Sequence, residues 1–377
     1  MERGQRRTDS YADSMRVLVA MSGGVDSSVA AALLRDAGHE VAGATMKLWG
    51  GASDSGCCSV ADVDDARRVA QQLGLAHHVF NFTDDFDTHV VDPYVSDHAA
   101  GRTPNPCVEC NRHLKFDRFL GRAETLGYDA VATGHHARVV RDPGSPRFRL
   151  RRGADPAKDQ SYVLHMLGQA QLARVLLPVG EMTKAAVRSL AMELGLRTAT
   201  KPDSQDVCFI TSTGGRGAFL ANRVDLHAGA LVDTAGAPVG RVDAVELVTV
   251  GQRRGLGGAG QRRFAVAVDV PGRRVVVGSA EDLLTGAVTL AGASWVDREP
   301  RRGAGVQVQF SAHGTPVAAM WDGPSVRFAA PHRRVAPGQS VVLYEGDDVL
   351  GGGVAEPAEA AEAARDVEPA AAADPAR

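Results

Sequence analysis

Three cysteines stand in polar surroundings where a thiol can do chemistry. "GRTPNPCVECNRHLKF" (101–116) sets Cys107 and Cys110 in a C-x-x-C within a proline-containing loop just before a helix, and "KPDSQDVCFI" (201–210) carries Cys208 in another polar loop. Paired thiols near a helix N-terminus give up their protons readily, and the thiolate is the reactive form. A thiolate can take a sulfane sulfur and become a persulfide, from which a second thiol expels the product by exchange. A structural zinc site is the plainer reading of a C-x-x-C. Zinc wants four ligands, usually as two such pairs, and here Cys57, Cys58 or a histidine would complete the set at poor spacing.

The second reactive stretch is "MSGGVDSS" (21–28), between an apolar run and a helical pattern. Unpaired N–H groups at a helix start favour an anion. Gly23 and Gly24 let the backbone come close to it, while Ser22, Ser27 and Ser28 can donate hydroxyls. The lysine of a Walker A loop is missing. Asp26 stands where negative charge is unwelcome, unless Mg²⁺ bridges it to phosphate. Such a loop suits a departing pyrophosphate better than a transferring phosphoryl group. The implied chemistry is adenylation by α–β cleavage of ATP.

The SGGVDS string resembles the PP-loop ATP pyrophosphatase superfamily. With "GCCSVADVDDARRVAQQLG", "ATGHHAR", "KDQSYVL", "VGQRRGLG" and the two cysteine segments added, residues 15–354 resemble the tRNA-specific 2-thiouridylase family. That resemblance implies ATP-dependent 2-thiolation of the wobble uridine, U34, in tRNAs for Lys, Glu and Gln. It implies ATP with Mg²⁺ at Ala20, Met21, Ser22, Gly23, Gly24, Val25, Asp26 and Ser27, with Met46 and Gly134 also at the nucleotide. Cys208 matches the residue that receives persulfide sulfur, and Cys110 the nucleophile that later pairs with it as a disulfide. Asn105, Pro106 and Cys107 match the segment holding the target base. His135, Lys158, Asp159, Gln160 and Gln339 match tRNA-contacting positions. Gln309-Phe310 stands where the family usually has arginine-tyrosine. Cys107 stands where many members have an aspartate acting as general acid/base. That departure leaves open whether a thiol does the proton work or whether Cys107, Cys110 and Cys208 hold a [4Fe–4S] cluster with one open iron, since such clusters take thiolate ligands.

The elements that must position these groups follow from patterning. "MRVLVAM" (15–21), 40–49, 76–82 and 129–134 read as strands; 27–38, 59–74, 116–127 and 183–196 read as helices, the last capped by Thr183. Alternating strands and helices predict an α/β, doubly wound parallel sheet over 15–212. After 212 glycine, valine and short alternating runs predict a small central β-rich domain (213–282) and a C-terminal β-barrel (283–354). Residues 1–14 read as a disordered leader and 355–377, rich in alanine, glutamate and proline, as a disordered tail.

Net charge is −3, but residues 213–340 hold fifteen arginines against ten acids, which admits an acidic partner such as RNA. No apolar run approaches a membrane span and no secretory signal opens the chain, so a cytoplasmic, monomeric enzyme is expected, with tRNA and a persulfide donor as partners. Another PP-loop adenylating ligase is the alternative. Cys57 and Cys58 read as buried structural cysteines, His77, His78 and His136 as packing residues, and Trp49, Trp295 and Trp321 as core or rim. "RFRLRR" (147–152) reads equally as an RNA-facing hairpin or a solvated edge, and "GQRRGLGGAGQRR" (251–263) as an RNA contact.

Overall fold

The computed structural model describes residues 14–48, 59–142, 144–203, 207–210, 215–256 and 263–357. Val17, Leu18 and Val19 of strand β1 (Arg16–Ala20) are shut off from solvent on both faces. An unbroken apolar run is what a strand covered by helices on both sides requires. β1 runs parallel to β2 (Glu40–Lys47) on one side and to β4 (Ala130–Ala132) on the other. With β3 (Ala76–Asn81) and β7 (Val175–Leu176) the order is β3-β2-β1-β4-β7, all parallel. The direction of winding reverses between β1 and β4, the crevice where a doubly wound sheet takes its ligand.

Alternate residues of β1 feed two cores. Val17 and Val19 pack with helix α1 (Val25–Asp36), helix α2 (Val60–Gln72) and the Lys184–Glu193 helix; Leu18 and Ala20 face the opposite layer. α2 opens on a capping box between Ser59 and Asp62, and Thr183 accepts from Ala186 N at 3.2 Å to cap the other helix, as its sequence predicts.

The opposite layer differs from expectation. The C-x-x-C lies in a helix, not a loop: residues 106–125 are helical without interruption, and Cys110–Arg118 is π-helical. Pro106 takes the first helical position, where its missing N–H is unneeded. Residues 83–99 also form a helix, with a π-turn over Asp87–Val91 just before Pro93. A proline inside the pattern argues for a break there, and the wider turn is the adjustment that lets the chain pass it.

Beyond the first sheet, β8 (Gly229–Val232), β9 (Pro238–Val242), β10 (Phe264–Asp269) and β11 (Arg274–Gly278) make a small mixed sheet. β12 (Leu284–Trp295), β13 (Gly305–Gln309), β14 (Val317–Asp322), β15 (Ser325–Arg333), β16 (Ser340–Glu345) and β17 (Asp348–Ala355) follow; β12 pairs with both β15 and β17, closing a six-stranded antiparallel barrel. Trp321 fills its core against Trp295, edge to face at 5.0 Å.

"RFRLRR" does lie in a hairpin. β5 (Ala137–Arg141) and β6 (Phe148–Arg152) form a hairpin that adds to the barrel through β17. Arg151 bonds Asp348 at 2.7 Å, Arg149 bonds Asp348 at 3.0 Å, Arg138 bonds Asp347 at 3.0 Å, and Arg147 pairs with Asp297. Arg138, Arg149 and Arg151 thus pair with the barrel's acidic turn while staying partly open to solvent. Among the described residues no helix is long and apolar enough to cross a membrane. Trp49, Cys57, Cys58, residues 257–262 of the second arginine-rich run, the leader to residue 13 and the tail from 358 lie outside the described residues.

Candidate active site

Gly23 sits at φ 73°, and a Cβ there would lie 2.3 Å from the carbonyl oxygen of Asp62. Both the left-handed turn and the approach of α2 therefore demand glycine. Gly24 caps α1 with extended backbone, and its carbonyl accepts from Ser28 Oγ at 2.7 Å and Ser27 Oγ at 3.2 Å. Ser22 N donates to Ser27 Oγ at 3.3 Å, which folds the loop over the helix start. Gly134, at the end of β4, packs so closely that a Cβ would lie 2.6 Å from Ser27 N. Ala20, Met21 and Met46 are buried beneath the loop at the ends of β1 and β2.

Cations missing from the loop arrive from elsewhere in the chain. Lys184 Nζ reaches both oxygens of Asp26, at 2.7 and 2.8 Å, and His136 Nε2 lies 3.1 Å from Oδ1. Burial works to raise the Asp26 pKa, but His136 and Lys184 outweigh it, and the carboxyl titrates below its usual range. Asp26 thus has partners supplied by the protein itself. His136, read as packing, touches the loop, while His135 bonds Thr133 Oγ1 at 2.7 Å and tilts against Phe116. Burial first, then Lys115 and His136, push His135 well below its ordinary value, so it is neutral. Lys201 donates to Gly23 O at 3.0 Å, to Asp62 at 2.6 Å and to Asp65 at 2.8 Å. Asp203 collects Lys158 at 2.8 Å, Lys184 at 2.9 Å and Arg188 at 2.6 Å; burial works to raise its pKa, but the two lysines overcome it and hold the carboxyl far below its usual range.

Residues 158–160 divide sharply. Asp159 is 4% exposed, and its oxygens accept from Gly153 N, Ser161 N, Ser161 Oγ and Arg152 within 3.0 Å. Its side chain organises the turn that presents its neighbours. Asp159→Ala should cost about 2–4 kcal/mol, because it strands a largely buried cation and two N–H groups. Urea unfolding checks this: a surface RNA contact would change tRNA affinity instead and leave stability intact. Gln160 Oε1 accepts from His136 N at 2.9 Å, which ties the turn to the Asp26 cluster.

At the helix start Asn105 Oδ1 caps Cys107 N at 3.1 Å. Cys107 is exposed, Cys110 half-buried one turn on. A thiol in the first turn of a helix meets the positive end of its dipole. Cys110 and Cys208 pack against the same apolar cluster, which also contains Ala20 and Met46 beside the glycine turn. Asn111 Nδ2 donates to Val163 O at 3.0 Å, joining the thiol helix to the Gln160 turn. Among the described residues no three or more His, Cys, Asp or Glu side chains gather closely enough to hold a metal ion.

The barrel reaches this region through Gln339, whose Nε2 donates to Thr103 O at 2.6 Å. Gln309 is 2% exposed and turned onto Ser311 O and Ala312 O, while Phe310 packs on Phe328 and His332. The Gln309 side chain is thus turned inward, and Phe310 is half-buried.

Residues 15–212 match the family model described as the tRNA methyl transferase HUP domain, and residues 286–355 the aminomethyltransferase beta-barrel domain. The tRNA-specific 2-thiouridylase MnmA of Chloroflexus aggregans is 47% identical over 349 residues, spanning 89% of this chain and 97% of that protein. This chain belongs to the tRNA-specific 2-thiouridylase family. The Geobacter metallireducens member is 44% identical over 354 residues, spanning 90% of this chain and 96% of its own. Within the two matched segments the chain joins a parallel sheet to a terminal barrel. Solved structures with partial likeness include the NMN synthetase of Francisella tularensis (16% identity, 54% of this chain and 74% of that one, TM-score 0.33). Another is a 4-thiouridine synthetase in complex with RNA and ATP (19% identity, 53% and 46%, TM-score 0.35).

Proposed function

We propose that this protein replaces O2 of the wobble uridine of tRNA with sulfur, spending ATP to adenylate the base. What supports the reading is the glycine turn at the reversal of the parallel sheet, with Lys184 and Lys201 drawn to it, in a chain whose Cys110 and Cys208 both pack on the core layer under that sheet. ATP enters with its β- and γ-phosphates against Ser22–Ser27. Lys184 and Lys201 stand ready to meet that charge; Mg²⁺ carried by the nucleotide would neutralise more of it, with Asp26 the nearest carboxylate. The uridine leaves its stack, as chemistry on a base requires, and is held at Asn105, Pro106 and Cys107. His135, Lys158, Gln160 and Gln339 stand around the RNA's path.

O2 attacks the α-phosphorus and pyrophosphate departs. The terminal sulfur of a Cys208 persulfide attacks C2, and AMP leaves with its oxygen. Cys110 thiolate then attacks the Cys208 sulfur, which releases 2-thiouridine and leaves a Cys110–Cys208 disulfide. An external dithiol reduces that disulfide, and a persulfide donor reloads Cys208. Cys107 is left for proton transfer, in the place where many relatives carry an aspartate.

Nucleoside mass spectrometry of tRNA from cells with and without the gene tests the reading. Loss of 2-thiouridine from tRNAs for Lys, Glu and Gln is the expected result. An unchanged 2-thiouridine level, or loss of a methyl group instead of the sulfur-for-oxygen exchange, would overturn it.

A further inference from the structure

Strand β17 brings the chain out of the barrel beside the segment that leads into the thiol helix. Ala355 N donates to Gln339 O at 2.8 Å, and Gly338 N donates to Ala355 O at 2.9 Å. A Cβ on Gly338 would lie 2.9 Å from Thr103 N and 3.1 Å from Arg102 Cβ. The same seam gathers arginine. Thr103 Oγ1 donates to Thr249 Oγ1 at 3.3 Å, and Arg216 donates to Thr249 Oγ1 at 3.4 Å and to Leu247 O at 2.8 Å. Gln252 accepts from Thr249 N at 3.1 Å, donates to Arg254 O at 2.9 Å and pairs through its backbone with Ala265 of β10. On that strand Arg333 lies over the Phe264 ring, 5.6 Å from its centre, and Arg334 donates to Val266 O at 3.5 Å. Arg253, Arg254 and Arg333 are exposed, Arg216 and Arg334 half-buried. Among the described residues none of these five has a carboxylate partner, whereas Arg138, Arg149 and Arg151 of the hairpin are each matched to one.

We propose that residues 358–377 dock on this arginine seam, so that tRNA must displace them to reach the thiol helix. The segment carries five acids, Glu359, Glu362, Asp366, Glu368 and Asp374, against Arg365 and Arg377. Its charge complements the seam, and it starts where the chain leaves the barrel, two residues after Pro337–Gln339 meets Ala355. Fully extended, twenty residues reach at most about 70 Å, so every arginine of the seam is within its span. Tethering supplies the rest. At an effective concentration of about 1 mM, a contact with a Kd of about 0.2 mM is made in roughly five molecules of six and weakens binding of a competitor about sixfold. Docking itself needs no reaction; that the displacing polyanion is tRNA rests on the proposed function.

The test keeps the full-length chain and neutralises the acids alone, through Glu359→Gln, Glu362→Gln, Asp366→Asn, Glu368→Gln and Asp374→Asn. Filter binding of unmodified tRNA is the first readout. The neutral variant should bind about sixfold tighter than wild type at about 50 mM salt, and the gain should shrink below about twofold at about 300 mM, where surface charges are screened. Arg253→Gln, Arg254→Gln and Arg333→Gln, made together, provide a second background from exposed side chains. There tRNA affinity itself falls, and neutralising the acids should bring no further gain, because the partners of the segment are gone. The second readout needs no RNA: fluorescence anisotropy of a labelled peptide with the sequence of residues 358–377, added to the neutral variant. The peptide should bind at submillimolar concentration and lose most of its affinity in the arginine background. An unchanged or weaker tRNA affinity in the neutral variant overturns the proposal. So does an equal gain in both backgrounds, which would mean repulsion at a distance instead of docking, and so does a peptide that fails to bind. If the peptide binds as expected but no variant retains tRNA, the docking stands and the tRNA reading fails.

Discussion

Replacing Cys208 with serine should abolish sulfur transfer while the nucleotide step survives. With tRNA and ATP the variant should still release pyrophosphate. Its 2-thiouridine yield should fall by a factor on the order of 10³ or more, the scale set by removing a covalent nucleophile. Serine keeps the volume and half-buried setting of residue 208 against its cluster, so a folding defect is not expected. Cys110→Ser separates the two thiols. It should let AMP leave but stop before resolution, with tRNA held to Cys208 through a disulfide that a reducing agent releases. A denaturing gel run with and without reductant reads this directly. Free thiolated tRNA from the serine variant at 208 would remove that residue from the chemistry.

The second large effect belongs to Lys184. Its side chain is 12% exposed, and the ammonium bridges Asp26 in the glycine turn to Asp203 in the segment leading to Cys208. Lys184→Met should destabilise the protein by about 2 kcal/mol at neutral pH, since two carboxylates lose a charged donor and keep others. Both carboxyls titrate below their ordinary values in the folded protein. Their stabilising contribution is therefore complete above the unfolded carboxylate pKa and is lost as pH falls through the depressed folded value. The gap between wild type and variant should be widest near pH 7 and narrow below about pH 4, where protonated carboxyls no longer need the lysine. Urea unfolding at several pH values measures it, and Asp26→Asn in the same background should recover part of the loss. Nucleotide affinity should fall as well, by roughly tenfold or more, because the variant also removes a cation from the pyrophosphate's seat. A loss independent of pH would mean that Lys184 acts through packing.

Much of this was legible because local signals agreed with the global fold. β1 is an uninterrupted apolar run, Thr183 and Ser59 mark helix starts, and the glycine turn falls at the reversal of the sheet. The helical setting of the thiols was hidden by Pro104 and Pro106, which read as loop although a proline in the first turn costs a helix nothing. The lysines were hidden by distance in sequence: Lys184 lies 158 residues from Asp26 and Lys201 lies 178 from Gly23. A signal for them existed. The chain has only five lysines among 42 basic residues, and in a protein that otherwise chooses arginine a lysine stands out as a compact point charge where a fork would not serve. Three of the five, Lys158, Lys184 and Lys201, meet in the carboxylate network beside the phosphate loop. The ion pairs of the arginine-rich hairpin were hidden in the same way. Its acidic partners, Asp347 and Asp348, lie in a barrel turn some two hundred residues away, as the 199-residue separation of Arg149 from Asp348 shows.

The account stands on one coupling, that cleavage of ATP at the glycine turn activates the base that the thiols then attack. It is tested most directly by incubating purified protein with unmodified tRNA, ATP and a persulfide donor, and counting the nucleotide products against the 2-thiouridine formed. Equal amounts of AMP, pyrophosphate and 2-thiouridine are predicted, with AMP formation dependent on tRNA. ADP and phosphate in their place, or 2-thiouridine made without ATP, would contradict it.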